Sequence, residues 1–517
     1  MHIEADPLSR PALLGRLGAA HTWDVLVIGG GATGLGCALD AAARGYSTVL
    51  LEAHDFAKGT SSRATKLIHG GVRYLAQGNL ALVREALAER ARLLANAPHL
   101  VHPLRFVVPA YRWHDKPLLG AGLALYDALA GRHGIAPSRV LDAARTVAAL
   151  PTVNPVGLKG GIAYWDAQFD DARLAIALMR TLFDLGGLAL NYLPVEGISV
   201  DGGRVCGVYA RDVESGAQFR LAARTVINAT GVWADTVRRL ERPAAGPLLR
   251  PSQGVHVVVE RDFLPGTDAL LVPHTADGRV LFAIPWQGRV LIGTTDSARN
   301  DLPLEPVPLA GEVQFILDTA ARYLRRAPGR EDVRSVFVGL RPLLGDGNGS
   351  ATRSLSREHC IEVSPGGLVT ITGGKWTTYR RMAEDAVDTA QSVARLPKRT
   401  AATATLRLHG ATEGACADPY GSDRAAVDAL PGAGSRLQAG LTLTAAEVRH
   451  AARVELARTV EDVLARRHRA LFLDAAAAAA AAPAVARLLA EELGRDAAWC
   501  EAELVRFATL AHQYGNA

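Results

Sequence analysis

The segment TSSRATKLIHGGVRY, Thr60–Tyr74, brings together four Ser/Thr hydroxyls, three basic residues, a histidine and a Gly-Gly pair. So many donors with so little bulk suit a phosphate-bearing ligand held close to the backbone. The plainer reading is helix capping and turn chemistry by the same hydroxyls. Two residues far from this segment also have types that do chemistry. His256, in strand-like GVHVVVE, could take a proton or simply line a core. Lys375, in GGKWTTYR, is either a preplaced charge for a developing anion or a solvated first-turn lysine.

These groups need a frame, and the N-terminal sequence provides one. WDVLVIGGGATGLGCALDAAARGYSTVLLE predicts strand, tight turn, helix and strand. Val25–Ile28 is a continuous apolar run, as a buried parallel strand requires. Gly29, Gly31 and Gly34 form GxGxxG, followed by Ala32 and Thr33 at the helix start. Gly29 permits the turn, Gly31 lets a pyrophosphate approach the backbone, and Gly34 lets helix and strand pack closely. The helix N-terminus supplies free N–H groups and a positive dipole. Glu52 ends the second strand, where it can accept from ribose hydroxyls and repel a 2′-phosphate. All parts together make a dinucleotide site, where GxGxxG alone would be weak.

Periodicity predicts a one-faced helix over Asn79–Asn96 and another from Asp170 or Asp171 to Gly186. Short strands follow, closing with TVINATG, Thr225–Gly231. Residues 250–297 are strand-like, and VTITGGKWTTYRRMAEDAVD returns to strand, glycine turn and helix. The β-meander before TVINATG, with this late strand-GG-helix unit, favours FAD over NAD. LPKRTAATA reads as a linker, and Thr444–Ala511 as almost wholly helical. Pro483 is expected to end or kink an alanine-rich helix.

The expected fold is α/β: a Rossmann-like FAD-binding domain of the two-dinucleotide-binding type, an inserted mixed-sheet substrate domain and an all-helical C-terminal domain. The FAD-binding part is read as residues 20–110, 155–245 and 331–392. The substrate part is read as 111–154 and 246–330, and the helical domain as 400–517.

Bulk properties agree with this. The chain has 517 residues, net charge +5 and pI near 9.0. That balance favours anionic partners weakly, because the basic residues are scattered and make no nucleic-acid stripe. Five dispersed cysteines indicate neither a zinc site nor a disulfide framework, and a reducing cytoplasm fits. No signal core is expected, and no stretch reaches the roughly 18 apolar residues of a membrane span.

From about Trp23 to Tyr514 the chain resembles FAD-dependent glycerol-3-phosphate dehydrogenases. The matching segments include VIGGGATGLGCALDAAARG, GTSSRATKLIHGGVRYL, INATG, PSQGVHVV, PWQGRVLIGTTD, GLRPL, SREH and GGKWTTYRRMAED. Val232 departs from the proline many relatives carry after ATG. The resemblance implies oxidation of sn-glycerol 3-phosphate to dihydroxyacetone phosphate, with hydride passing from C2 to FAD N5 and electrons then to a quinone. An oxygen-using oxidase and a non-catalytic FAD-binding protein are the alternatives. It implies that Thr60, Ser61, Ser62, Lys66, Leu67, His69, Gly70, Gly231, Gly339, Gly374, Lys375, Trp376 and Thr377 contact the cofactor. It implies substrate contacts from Arg73, Tyr74, His256, Arg341, Arg357 and Lys375, with His256 or Arg341 as proton acceptor. It also implies peripheral docking of Tyr111–Gly134 on the cytoplasmic membrane face. A homodimer stays open.

Overall fold

The computed structural model describes residues 8–19, 21–75, 78–273, 275, 280–345, 359–412 and 418–515. Among these, two sheets carry the fold. The first has eight strands, running in space His359–Val363, Val369–Gly373, Gln218–Asn228, Thr22–Ile28, Thr48–Leu51, Leu188–Leu190. Thr22–Ile28 is parallel to both of its neighbours, and Gln218–Asn228 is parallel to Val369–Gly373. Val25 to Ile28 are at most 5% exposed, because helices cover both faces of a parallel sheet. The start of Gln218–Asn228 pairs instead with the meander Val195–Asp201 and Arg204–Arg211.

The helix Leu80–Asn96 begins where Asn79 accepts the N–H of Leu82 at 3.1 Å. Asp170 caps Asp171–Asp184 through the N–H groups of Ala172 and Arg173. Both starts are the side-chain caps the sequence places there.

The second sheet has ten strands and is largely antiparallel. Near one edge of it, Ser252–Glu260 is flanked by Arg289–Gly293 and Val333–Arg341. Val101–Ala110, Gly160–Phe169 and Val333–Arg341 hydrogen-bond within this sheet. Its membership therefore reaches beyond the sequence boundaries drawn for the substrate part. Continuous apolar strands look alike in either sheet, and only pairing separates them.

The C-terminal helices keep a small cluster of their own at Tyr420, Val427 and Ala446, but most of their core is shared with the second sheet. Val448, Val460, Phe472, Val485 and Phe507 share one buried cluster with Val258, Trp286, Leu291 and Phe337 of the second sheet. The expected linker is pinned to the first domain, with Tyr46 donating to Pro397 O at 2.5 Å. The helix Ala475–Leu493 continues through Pro483 and ends at Gly494 in the left-handed conformation. Of the two expected outcomes, an end or a kink, the helix does not end at the proline. Ala481, Ala482, Val485, Ala486 and Leu489 are buried, and helix Ala497–Gly515 packs alongside. That packing offsets the roughly 3 kcal/mol proline cost.

Candidate active site

The parallel strands of the first sheet end in one crevice, and Gly29, Glu52, Gly231 and Gly374 line it just beyond their carboxyl ends. Ligands of open α/β sheets bind at such a place. The crevice and its continuation beside the second sheet form one cavity of about 510 Å³.

Its dinucleotide turn is built on glycine. Gly29 has φ 108° and donates to Leu51 O at 2.8 Å. A Cβ on Gly34 would fall 1.9 Å from Gly29 O, so Gly34 serves packing and does not line the cavity. Gly31 caps the helix Ala32–Ala43, and Ala32 and Thr33 face the cavity at its start. Glu52 accepts the N–H of Gly30 at 2.5 Å and of His54 at 2.8 Å. Burial pushes its carboxyl up, against the pull of these two backbone donors.

The hydroxyl cluster makes protein contacts. Thr60 donates to Leu340 O at 2.6 Å, and Ser61 Oγ accepts the Ala32 N–H at 2.9 Å. Ser61 O accepts from Trp376 Nε1 at 2.8 Å. The turn thus joins both sheets to the dinucleotide helix, while Thr60, Ser61 and Trp376 still line the cavity. Ser62 and Lys66 do not line it. The Ser62 carbonyl accepts from Lys66 Nζ at 2.8 Å and Arg469 Nη2 at 2.7 Å. The buried Lys66 ammonium pairs with Asp171 at 2.7 Å, among the rings of Trp286, Phe337 and Phe472. Burial outweighs Asp171 and pushes Lys66 down to about 7.

Leu67, His69, Gly339, Gly374 and Thr377 border the far part of the cavity. His69 N–H donates to Thr377 Oγ1 at 3.3 Å. Gly70 lies behind this wall, donating to Tyr126 Oη at 2.9 Å. A Cβ on Gly339 would meet Arg63 O at 2.7 Å, which lets the loop lie flat on the strand.

Three of the proposed chemical residues converge here: His256, Arg341 and Lys375 all line the cavity. His256 and Arg341 occupy paired strands, with His256 opposite Phe337 and Ser252 opposite Arg341. The His256 ring stacks on Phe337, centroids 4.8 Å apart at 17°. Its Nε2 lies 2.9 Å from Thr65 Oγ1. Burial, then Lys66 and Arg341, hold His256 well below the ordinary histidine range. Arg341 donates to Gln253 O at 3.1 Å, Thr294 Oγ1 at 3.1 Å and Thr295 O at 2.9 Å. This fixes its fork against the strand. Lys375 precedes the turn Trp376–Thr378, and its carbonyl accepts the Thr378 N–H at 3.2 Å. Arg73 and Tyr74 belong to the short helix Val72–Leu75, whose backbone alone is described there. Arg357 lies outside the described residues.

Sequence reasoning missed Thr65, Val195 and Trp233, which also line the cavity. Thr65 was countable among the four hydroxyls but had no spacing to mark it. Val195 sits in a strand and Trp233 in the turn Gly231–Trp233, with no motif to mark either.

The crevice fits FAD. It offers a glycine turn and helix start for a pyrophosphate, a carboxylate after the second strand, and a walled extension beside Lys375–Thr377 for the ring.

Residues 24–380 match the family model described as FAD dependent oxidoreductase. Residues 369–500 match the C-terminal domain of alpha-glycerophosphate oxidase. Mitochondrial glycerol-3-phosphate dehydrogenase of Rattus norvegicus is 39% identical, over 95% of this chain and 73% of the relative. That of Arabidopsis thaliana is 40% identical, over 92% and 83%. The structure of glycerol-3-phosphate dehydrogenase from Bacillus halodurans, complexed with FAD, superimposes with TM-score 0.80 at 30% identity, covering 98% of both chains. With this likeness along nearly its whole length, the chain belongs to the FAD-dependent glycerol-3-phosphate dehydrogenase family.

Proposed function

We propose that the chain oxidises sn-glycerol 3-phosphate to dihydroxyacetone phosphate and passes the electrons to a membrane quinone. The observation that carries this reading is the convergence of His256, Arg341 and Lys375 on the cavity that fits FAD. Bound FAD supplies the two-electron acceptor. The chain's residues do the rest.

Gly29, Gly31, Ala32, Thr33 and Gly231 take the pyrophosphate, and Glu52 the ribose. Leu67, His69, Gly339, Gly374, Trp376 and Thr377 orient the ring. Arg341 holds the substrate phosphate, with Arg73, Tyr74 and Arg357 completing that end. His256, neutral at pH 7 because of its burial and cationic neighbours, accepts the C2 hydroxyl proton. Lys375 offsets the negative charge that accumulates as C2 is oxidised.

For the membrane, no helix among the described residues is long and apolar enough to cross one. Docking therefore falls to the helix Asp115–Ala130 and its approach. Leu123, Tyr126 and Ala130 pack inward, while Trp113 is 84%, Leu118 68% and Leu125 45% exposed. That outward apolar set beside Arg112 and Lys116 suits an anionic lipid surface on the cytoplasmic side.

The test is anaerobic addition of glycerol 3-phosphate to the FAD-loaded protein, followed by flavin absorbance. Bleaching that glycerol does not produce supports the reading, and no bleaching sinks it. Reoxidation by a short-chain quinone in preference to oxygen separates a dehydrogenase from an oxidase.

A further inference from the structure

Thr65 and Lys66 are adjacent in sequence, and both address His256. Thr65 Oγ1 sits 2.9 Å from His256 Nε2, and both residues line the cavity. The other ring nitrogen, Nδ1, is buried and has no hydrogen-bond partner among the described residues. One ring face is covered by Phe337. The Cδ2 edge lies against Gly293, where a Cβ would come within 2.3 Å. Packing thus walls the ring on a face and an edge, and Thr65 is its polar handle.

We propose that Thr65 is a positioning residue, holding Nε2 of His256 at the cavity edge in the orientation that receives the substrate proton. A hydroxyl suits this task because it both donates and accepts. It donates to the Nε2 lone pair in the resting site, gives that lone pair up to the C2 hydroxyl whose proton Nε2 takes, and can accept from Nε2–H afterwards. The inference rests on the reading of His256 as proton acceptor.

The backbone supports it. Lys66 has φ 63°, a left-handed conformation that glycine usually adopts. Such an outlier persists where its surroundings over-determine it. Here Asp171, Ser62 O and three aromatic rings hold the Lys66 ammonium. One of those rings is Phe337, on which His256 stacks. Lys66 therefore locks the turn that presents Thr65 and backs the ring that Thr65 grips.

The experiment compares FAD-loaded wild type with Thr65→Val, Thr65→Ser, His256→Asn and the double variant Thr65→Val/His256→Asn. The readouts are FAD content, KM and the anaerobic bleaching rate by glycerol 3-phosphate from pH 5 to 9. Thr65→Val is expected to retain FAD and KM within about twofold and lose up to about 100-fold in rate, the scale of a misplaced catalytic group. Thr65→Ser restores most of the rate. The double variant is no slower than His256→Asn alone, because a positioning residue has nothing left to position. If Thr65→Val matches wild type while His256→Asn is dead, the proposal falls and the proton-acceptor reading stands. If His256→Asn keeps full rate, both fall. Additive losses in the double variant also overturn it. Thr65→Ala, smaller and free of any clash, carries the same comparison should Thr65→Val lose FAD.

Discussion

The Asp55 carboxylate and the Arg466 guanidinium, 411 residues apart in sequence, meet at 2.5 Å in a fully buried ion pair. Arg467 donates to the same carboxylate, and Asn191 adds a hydrogen bond at 3.0 Å. Burial pushes Asp55 up, but Arg467 and Arg466 together hold it below the ordinary carboxylate range. Asp55 lies three residues after Glu52, so this pair ties the proposed ribose-binding turn to the C-terminal helices. Removing one member of a buried pair strands the other charges and costs roughly 3–5 kcal/mol. Asp55→Ala should lower unfolding free energy by about that much and loosen FAD. Denaturant unfolding with and without added FAD checks both. A loss under about 1 kcal/mol would show that the C-terminal domain does not brace the turn.

The dinucleotide turn gives a sharper contrast. A Cβ at Gly34 would overlap Gly29 O at 1.9 Å, and its two nearest neighbours are both backbone atoms. Gly34→Ala should yield protein without FAD, or none that is soluble. Gly122, in the helix Asp115–Ala130, has nothing within 4 Å of the same added atom. Gly122→Ala should stabilise by about 0.5–1 kcal/mol, the helical cost of glycine. Flavin-to-protein absorbance ratio and thermal melting report the pair.

Local grammar explains why some of this was legible in sequence. Gly29, Gly31, Gly34 and Glu52 announce themselves because turn, helix and strand follow one another without interruption. Asn79 and Asp170 likewise sit where caps belong. The ion pairs Asp55–Arg466 and Lys66–Asp171 have no such signature, because their partners are 411 and 105 residues away. Lys66 shows the limit clearly. The resemblance puts it beside the flavin largely through its backbone, and nothing local in the segment shows that its ammonium pairs with Asp171. Sheet membership is hidden for a related reason: a strand's apolar run records burial and not its partner.

The outward face of Asp115–Ala130 makes a separable prediction. If Trp113 and Leu118 enter the headgroup layer, each contributes roughly 1.5–3 kcal/mol of apolar burial there. Trp113→Glu and Leu118→Glu should therefore each cut binding to anionic phosphatidylglycerol vesicles by at least about tenfold. Bleaching by glycerol 3-phosphate in solution should be unaffected, because neither residue lines the cavity. Unchanged sedimentation with vesicles would remove this face from the docking surface.

Lys375 tests the electrostatic half of the mechanism. It lines the cavity at the start of the turn Trp376–Thr378. A preplaced charge aimed at accumulating negative charge is worth about 10²–10³ in rate. Lys375→Met should keep bound FAD and lose that much bleaching rate, with a smaller change in KM. A variant whose KM rises while the rate holds would assign Lys375 to ground-state substrate binding.

The pH profile tests the acid–base half, and its sign follows from two groups. Burial, Lys66 and Arg341 push His256 well below the ordinary 6.5, so the neutral, proton-accepting ring is the form present at pH 7. The bleaching rate should rise with pH through that lowered value and be flat near neutrality. The same shift makes the unfolded chain bind the extra proton below 6.5. The histidine's stabilising contribution is therefore present above pH 6.5 and lost as pH falls toward the folded value. Lys66, pushed down to about 7, adds stability as pH rises from about 7 toward its ordinary 10.5, by the same sign. Lys66→Met removes a positive charge that faces His256 across Phe337. It should move the acid limb of kcat upward, toward 6.5. The substrate phosphate also ionises near pH 6, but its limb belongs to the substrate and stays where it is in the variant. A kcat profile that Lys66→Met leaves unmoved would mean that His256 is not the group whose protonation stops the reaction.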